Sequence, residues 1–132
     1  MELYSYDRRA SSVSPTDFIN ELKKHIDVGD HQVTCSSSIG TSADYSRRYY
    51  VAVHYINLPK GSSSDPEKNL MQFWIGDFGK EEGDPSPTGK VKIEQLHSTL
   101  PREYKLRAKT GSPDVIAKYL ADFLNDLSKK VR

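Results

Sequence analysis

The run Ser36-Ser37-Ser38-Ile39-Gly40-Thr41-Ser42-Ala43-Asp44-Tyr45-Ser46-Arg47-Arg48, continued by Tyr49-Tyr50-Val51-Ala52-Val53-His54-Tyr55-Ile56-Asn57-Leu58, decides the fold. Its second half is rich in β-branched and aromatic residues and reads as a strand from 49 to 58. Both parities are apolar there: Tyr49, Val51, Val53 and Tyr55 on one, Tyr50, Ala52, Ile56 and Leu58 on the other. That pattern predicts an inner strand covered on both faces.

Working outward, the period of two persists. Upstream, Val33, Cys35, Ser37 and Ile39 share a parity. Downstream, the stretch from Leu70 to Phe78 puts Met71, Phe73 and Ile75 on one face and Trp74 on the other. Between Val91 and Leu100 the apolar parity switches, from Val91 and Ile93 to Leu96 and Leu100, which predicts a bulge near Glu94-Gln95. Tyr104, Leu106 and Ala108 alternate with Lys105, Arg107 and Lys109, predicting a half-exposed strand over 104–109. The stretches 59–66 and 79–89 between strands are dense in Gly, Pro, Ser and Asp and too short for helical crossovers. An antiparallel meander follows.

Helical spacing appears only at the two ends. Ser14-Pro15-Thr16-Asp17 joins a capping serine, a proline suited to the first turn and an acid at the positive end of the dipole. Phe18, Ile19, Leu22 and Ile26 give the stripe, and Gly29 supplies a stop. Ser112-Pro113-Asp114 repeats the start chemistry ahead of Ile116, Tyr119, Leu120, Phe123, Leu124, Leu127 and Val131, an amphipathic helix over 113–131. The expectation is one α+β domain over 1–132. In it an antiparallel β-meander of about five strands curls around the long C-terminal helix, with a short N-terminal helix on the same sheet face. Residues 2–7 read as a short strand or an ordered arm.

Composition narrows the function classes. The chain has 132 residues, 36% of them apolar and 10% aromatic, which suits a globular domain with a thin, aromatic-rich core. Formal net charge is +1, but residues 1–89 carry 9 basic against 13 acidic groups and residues 90–132 carry 10 against 5. The basic C-terminal third suits an acidic partner or phosphates. Cys35 is the single cysteine, so an intramolecular disulfide and a cysteine metal cluster are excluded. No stretch approaches the roughly 20 apolar residues of a membrane span, and a cytoplasmic location is the expectation.

No motif names a reaction. His25, His31, His54 and His97 lack ligand spacing, so no metal is expected. Cys35 shares the parity of Val33 and Ile39 and reads as a buried, inert thiol. The acids Asp77, Glu81, Glu82 and Asp84 lie in a turn-rich loop without calcium-loop periodicity. Nucleophile-elbow and phosphate-loop motifs are absent, and no cofactor is expected.

Three binding readings remain. The first is a non-enzymatic module that binds another protein, of the inhibitor, immunity-protein, adaptor or chaperone kind. Its anchors would be Arg8, Arg9, Tyr45, Arg47, Arg48 and Tyr49, since Tyr and Arg dominate interface hot spots while Ser and Gly adapt around them. The second is a nucleic-acid-binding domain using Lys92, Lys105, Arg107 and Lys109 from one basic strand face. The third is a small-ligand pocket between the sheet and the C-terminal helix, lined by Trp74, Tyr55 and Phe123.

Overall fold

The structure, a computed structural model, describes residues 13–29, 31–41, 47–56, 70–81, 83, 86–98 and 100–130. Helix α1 (Pro15–His25) precedes five strands: β1 (Gln32–Thr41), β2 (Arg47–Ile56), β3 (Leu70–Gly76), β4 (Val91–Ser98) and β5 (Lys109–Gly111). Helix α2 (Pro113–Lys130) closes the order. The strands form one sheet in sequence order, and every neighbouring pair is antiparallel. This is the expected α+β meander.

Alternation sorts the sheet into two faces. On the inner face Val51, Val53 and Tyr55 from β2, Met71, Phe73 and Ile75 from β3, and Val91 and Ile93 from β4 are all buried. The stripe Ile116, Leu120, Leu124 and Leu127 of α2 covers them, with Phe18 and Leu22 of α1 beside it. Both helices therefore lie on one side. The expectation that β2 is covered on both faces is corrected: Tyr50, Ala52 and His54 on its other face are only half-buried. Phe123 packs edge-on against Phe73 at 6.0 Å between ring centres, at the margin of the core rather than in its middle.

Helix α1 begins as its sequence dictates. Ser14 Oγ accepts from the Asp17 N–H at 3.2 Å, and Asp17 returns the bond to the Ser14 N–H at 3.3 Å. It ends at His25, earlier than the Gly29 stop implied, although Gly29 does take a left-handed φ of 62°. The reason is tertiary. Asn125 of α2 donates from Nδ2 to the His25 carbonyl at 2.8 Å and accepts the Asp27 N–H at 2.7 Å. One amide thus satisfies a carbonyl at the helix end and an N–H of the following turn.

Two further expectations need correction. The bulge falls one residue later than Glu94-Gln95: Gln72 faces His97 while Phe73 faces Gln95, so Leu96 is the extra residue and stands 59% exposed. The strand expected over 104–109 is instead a 3₁₀ turn (Arg102–Tyr104), an irregular stretch 105–108 and then β5. Side chains hold that stretch where a ladder would have. Gln95 Oε1 accepts the Leu106 N–H at 2.9 Å, and the Tyr119 hydroxyl donates to the Arg107 carbonyl at 2.9 Å. Leu106 is buried between them in sequence, but Ala108 is exposed, so the alternation did not mark a sheet face.

Two measurements check this packing. Asn125→Ala leaves the end of α1 without its partner amide, and thermal or urea unfolding should show a loss of about 1–2 kcal/mol. The second concerns Tyr55, whose hydroxyl lies 2.6 Å from His31 Nδ1 and whose burial pushes its pKa from 10.0 to about 12. The folded chain then holds a proton that the unfolded chain releases. That stability is complete below pH 10 and is lost as pH rises toward 12, by up to about 2.5 kcal/mol. Urea titrations of parent and Tyr55→Phe across that window should differ in slope, the parent falling more steeply.

Candidate functional site

The sheet face that the helices leave open carries the most distinctive side chains. Tyr50 and Trp74 stack there, with ring centres 6.2 Å apart and planes inclined by 27°. Each ring leans over a glycine. A Cβ placed on Gly40 would meet the Tyr50 ring at 3.0 Å, and one on Gly76 would meet the Trp74 indole at 2.6 Å. The two glycines are the floor that lets broad rings lie along the sheet instead of standing up from it. Because β2 and β3 are antiparallel, leaning toward 40 and toward 76 is leaning toward the same end of the sheet.

Register places the neighbours. Trp74 sits between Ala52 and Glu94, and Gly76 faces Lys92. Lys92 Nζ and Glu94 Oε1 form an ion pair at 2.7 Å, both about half exposed. Arg48 lies opposite Gly40 on the same face as Tyr50. Further along, His54, Gln72 and His97 make a polar row across three strands. Beside the indole opens a groove of about 600 Å³, lined by Trp74, Thr41, Thr110, Lys90, Lys92 and Glu94 among others. A flat π surface, hydroxyls and charges of both signs converge there. Such a surface can take an apolar or planar group against the ring and hold polar groups at its margin.

The sequence-derived candidates scatter around this face. Arg8, Arg9 and Tyr45 lie outside the described residues. Arg47 and Arg48 are consecutive strand residues and point to opposite faces, with Arg48 beside the aromatics. Tyr49 turns inward, packs against the core, and pairs by backbone with Phe78 and Gly79 at 2.9 and 2.8 Å. The sequence does not mark Trp74 or Tyr50 as anchors, because both occupy the off parity of apolar strands, a pattern equally expected of strands covered by a second layer.

The basic set is not one stripe. Lys92 is on the outer face in its ion pair with Glu94, and Lys109 Nζ lies 4.9 Å over the Tyr119 ring on the helix side. Lys105 and Arg107 belong to the irregular stretch, where they line a shallow groove of about 350 Å³ with Glu94. The expected pocket under the C-terminal helix is likewise corrected: Trp74 is on the opposite sheet face from Phe123, and Tyr55 is fully buried in the core.

Burial pushes the Cys35 thiol pKa up, so at neutral pH it stays protonated. Among the described residues no three His, Cys, Asp or Glu gather to hold a metal ion, and no helix is long and apolar enough to cross a membrane. Comparisons of the chain with protein-family models, curated proteins and solved structures found no match.

Proposed function

We propose that the protein is a non-enzymatic binding module whose partner is another protein, docked on the open sheet face. The observation that carries this reading is the Tyr50–Trp74 stack laid over Gly40 and Gly76, with Arg48 on the same face. Trp, Tyr and Arg are the residue types that most often dominate interface affinity, and here they share a rigid sheet rather than a loop. An apolar or planar side chain of the partner enters the groove beside the indole, and Lys92 and Glu94 belong to the polar rim. Arg48 then serves as the anchor among the residues the sequence suggested, and Arg47, facing the other way, contributes less.

A single-stranded nucleic acid also stacks on aromatic sheet faces, and that observation keeps it as the second reading. Charge favours the protein. Around the rings Arg48, Lys90 and Lys92 are offset by Asp77 and Glu94, whereas backbone phosphates call for a clear cationic excess.

Trp74 is the only tryptophan, so its fluorescence reports on this face alone. Bait carrying the parent chain should retain a protein partner from native extract at both low and high salt. Trp74→Ala and Arg48→Ala should each lower affinity for that partner by about 2 kcal/mol, with Trp74→Ala leaving the melting temperature nearly unchanged. Gly76→Ala, which forces the indole off its floor, should weaken binding while keeping the tryptophan. Quenching of Trp74 by a mixed-sequence oligonucleotide at low salt, lost as salt rises, with no salt-resistant protein captured, would transfer the function to the second reading.

A further inference from the structure

The two edges of the sheet are built differently. At one edge β5 is three residues long; at the other β1 runs for ten residues in unbroken register with β2. Sheet proteins that stay monomeric usually protect a long edge with a charge, a proline or a bulge. The sequence of β1, Gln-Val-Thr-Cys-Ser-Ser-Ser-Ile-Gly-Thr, contains no charged residue and no proline, and its ladder has no bulge. Among the described residues, no strand pairs along its outer side.

The backbone groups on that side can be identified. The Tyr49 N–H donates to the Gly79 carbonyl, and the Tyr49 carbonyl accepts the Phe78 N–H, so the odd residues of β2 bond toward β3. Backbone direction alternates along an antiparallel strand, and the even residues of β2 therefore bond toward β1. Their partners are Gln32, Thr34, Ser36, Ser38 and Gly40. Val33, Cys35, Ser37, Ile39 and Thr41 are left to aim both N–H and C=O groups away from the sheet.

We propose that this edge pairs antiparallel with β1 of a second copy of the chain, about a two-fold axis at Ser37, joining two sheets into one. Two features select this occupant. An isologous contact sets the strand against its own sequence, so any charge on the edge would enter the seam twice with the same sign; β1 carries none. The register is also fixed by the fold. Paired residues must share a sheet face, and only an axis at Ser37 engages all five outward-aimed residues. Val33 then faces Thr41 of the second copy, Cys35 faces Ile39, and Ser36 faces Ser38. Ile39, an apolar side chain left 41% exposed, is covered by this pairing. The axis is perpendicular to the sheet, so both Trp74 faces end on one side, although the pairing itself does not depend on the reading of that face.

Sedimentation velocity on the full chain should show a monomer giving way to a dimer as concentration rises through the micromolar range. Ser37→Pro removes an N–H aimed at the open edge and leaves the bonds to β2 in place. It should abolish the dimer while the dilute monomer keeps the parent's melting temperature. The register has its own test. Positions 35 and 39 of one strand are roughly 13 Å apart, beyond disulfide reach within a chain. Ile39→Cys treated with oxidised glutathione should therefore yield a covalent dimer on non-reducing gels, while the parent, with Cys35 alone, should not. A parent that stays monomeric, a dimer indifferent to Ser37→Pro, or failure of Ile39→Cys to cross-link would each overturn the proposal.

Discussion

The inner faces of β2 and β3 impose the central constraint. Val51, Val53, Tyr55, Met71, Phe73 and Ile75 form a continuous apolar surface that water cannot be left to cover. The stripe of α2 covers it, and α1 fills the remaining width with Phe18 and Leu22. Phe18 reaches Phe78 in an edge-on contact at 6.0 Å, just past the end of β3, so the first helix is tied to the far end of the sheet. Asn125 then fixes the two helices to each other through the turn after α1. Remove the inner sheet face and neither helix has a surface to lie on.

Placing both helices on one side has a consequence on the other. Among the described residues no second layer shelters the apolar and aromatic side chains of the outer face, and they shelter one another instead. Tyr50 and Trp74 stack and lie over Gly40 and Gly76, which lowers the area each ring presents to water. Polar neighbours surround them, including the Lys92–Glu94 pair. A surface of this composition is stable in water and still holds apolar area in reserve for a partner.

The sheet is equally one-sided at its edges. Near β5 the ladder is replaced by side chains, with Gln95 and Tyr119 holding the chain from 105 to 108 against the body of the protein. The β4–β5 ladder stops at Ile93 and Lys109, before the bulge at Leu96, so that edge is short and flanked by irregular chain. At β1 the ladder with β2 runs without a register shift and the strand carries no charge. Edge chemistry of this kind governs association, because a row of aligned N–H and C=O groups is a template for another strand.

Much of this architecture was legible in the residues. Ser14-Pro15-Thr16-Asp17 and Ser112-Pro113-Asp114 marked both helix starts, because capping is local chemistry between residues three apart. Period-two runs and turn-rich connections between them gave the antiparallel order, and the parity switch after Ile93 gave the bulge to within a residue or two. What the alternation in 104–109 concealed was competition. Its backbone groups found Gln95 and Tyr119, distant in sequence, before they found a strand. The end of α1 was hidden for the same reason, since Asn125 lies a hundred residues from His25. The open sheet face shows the limit most clearly. Sequence alone determined that Tyr50 lies on the parity opposite Val51, Val53 and Tyr55, and Trp74 on the parity opposite Met71, Phe73 and Ile75, since side chains alternate on any strand. Only the tertiary structure decided that this parity faces outward, because the side on which α1 and α2 pack depends on the chain's path between strands and helices.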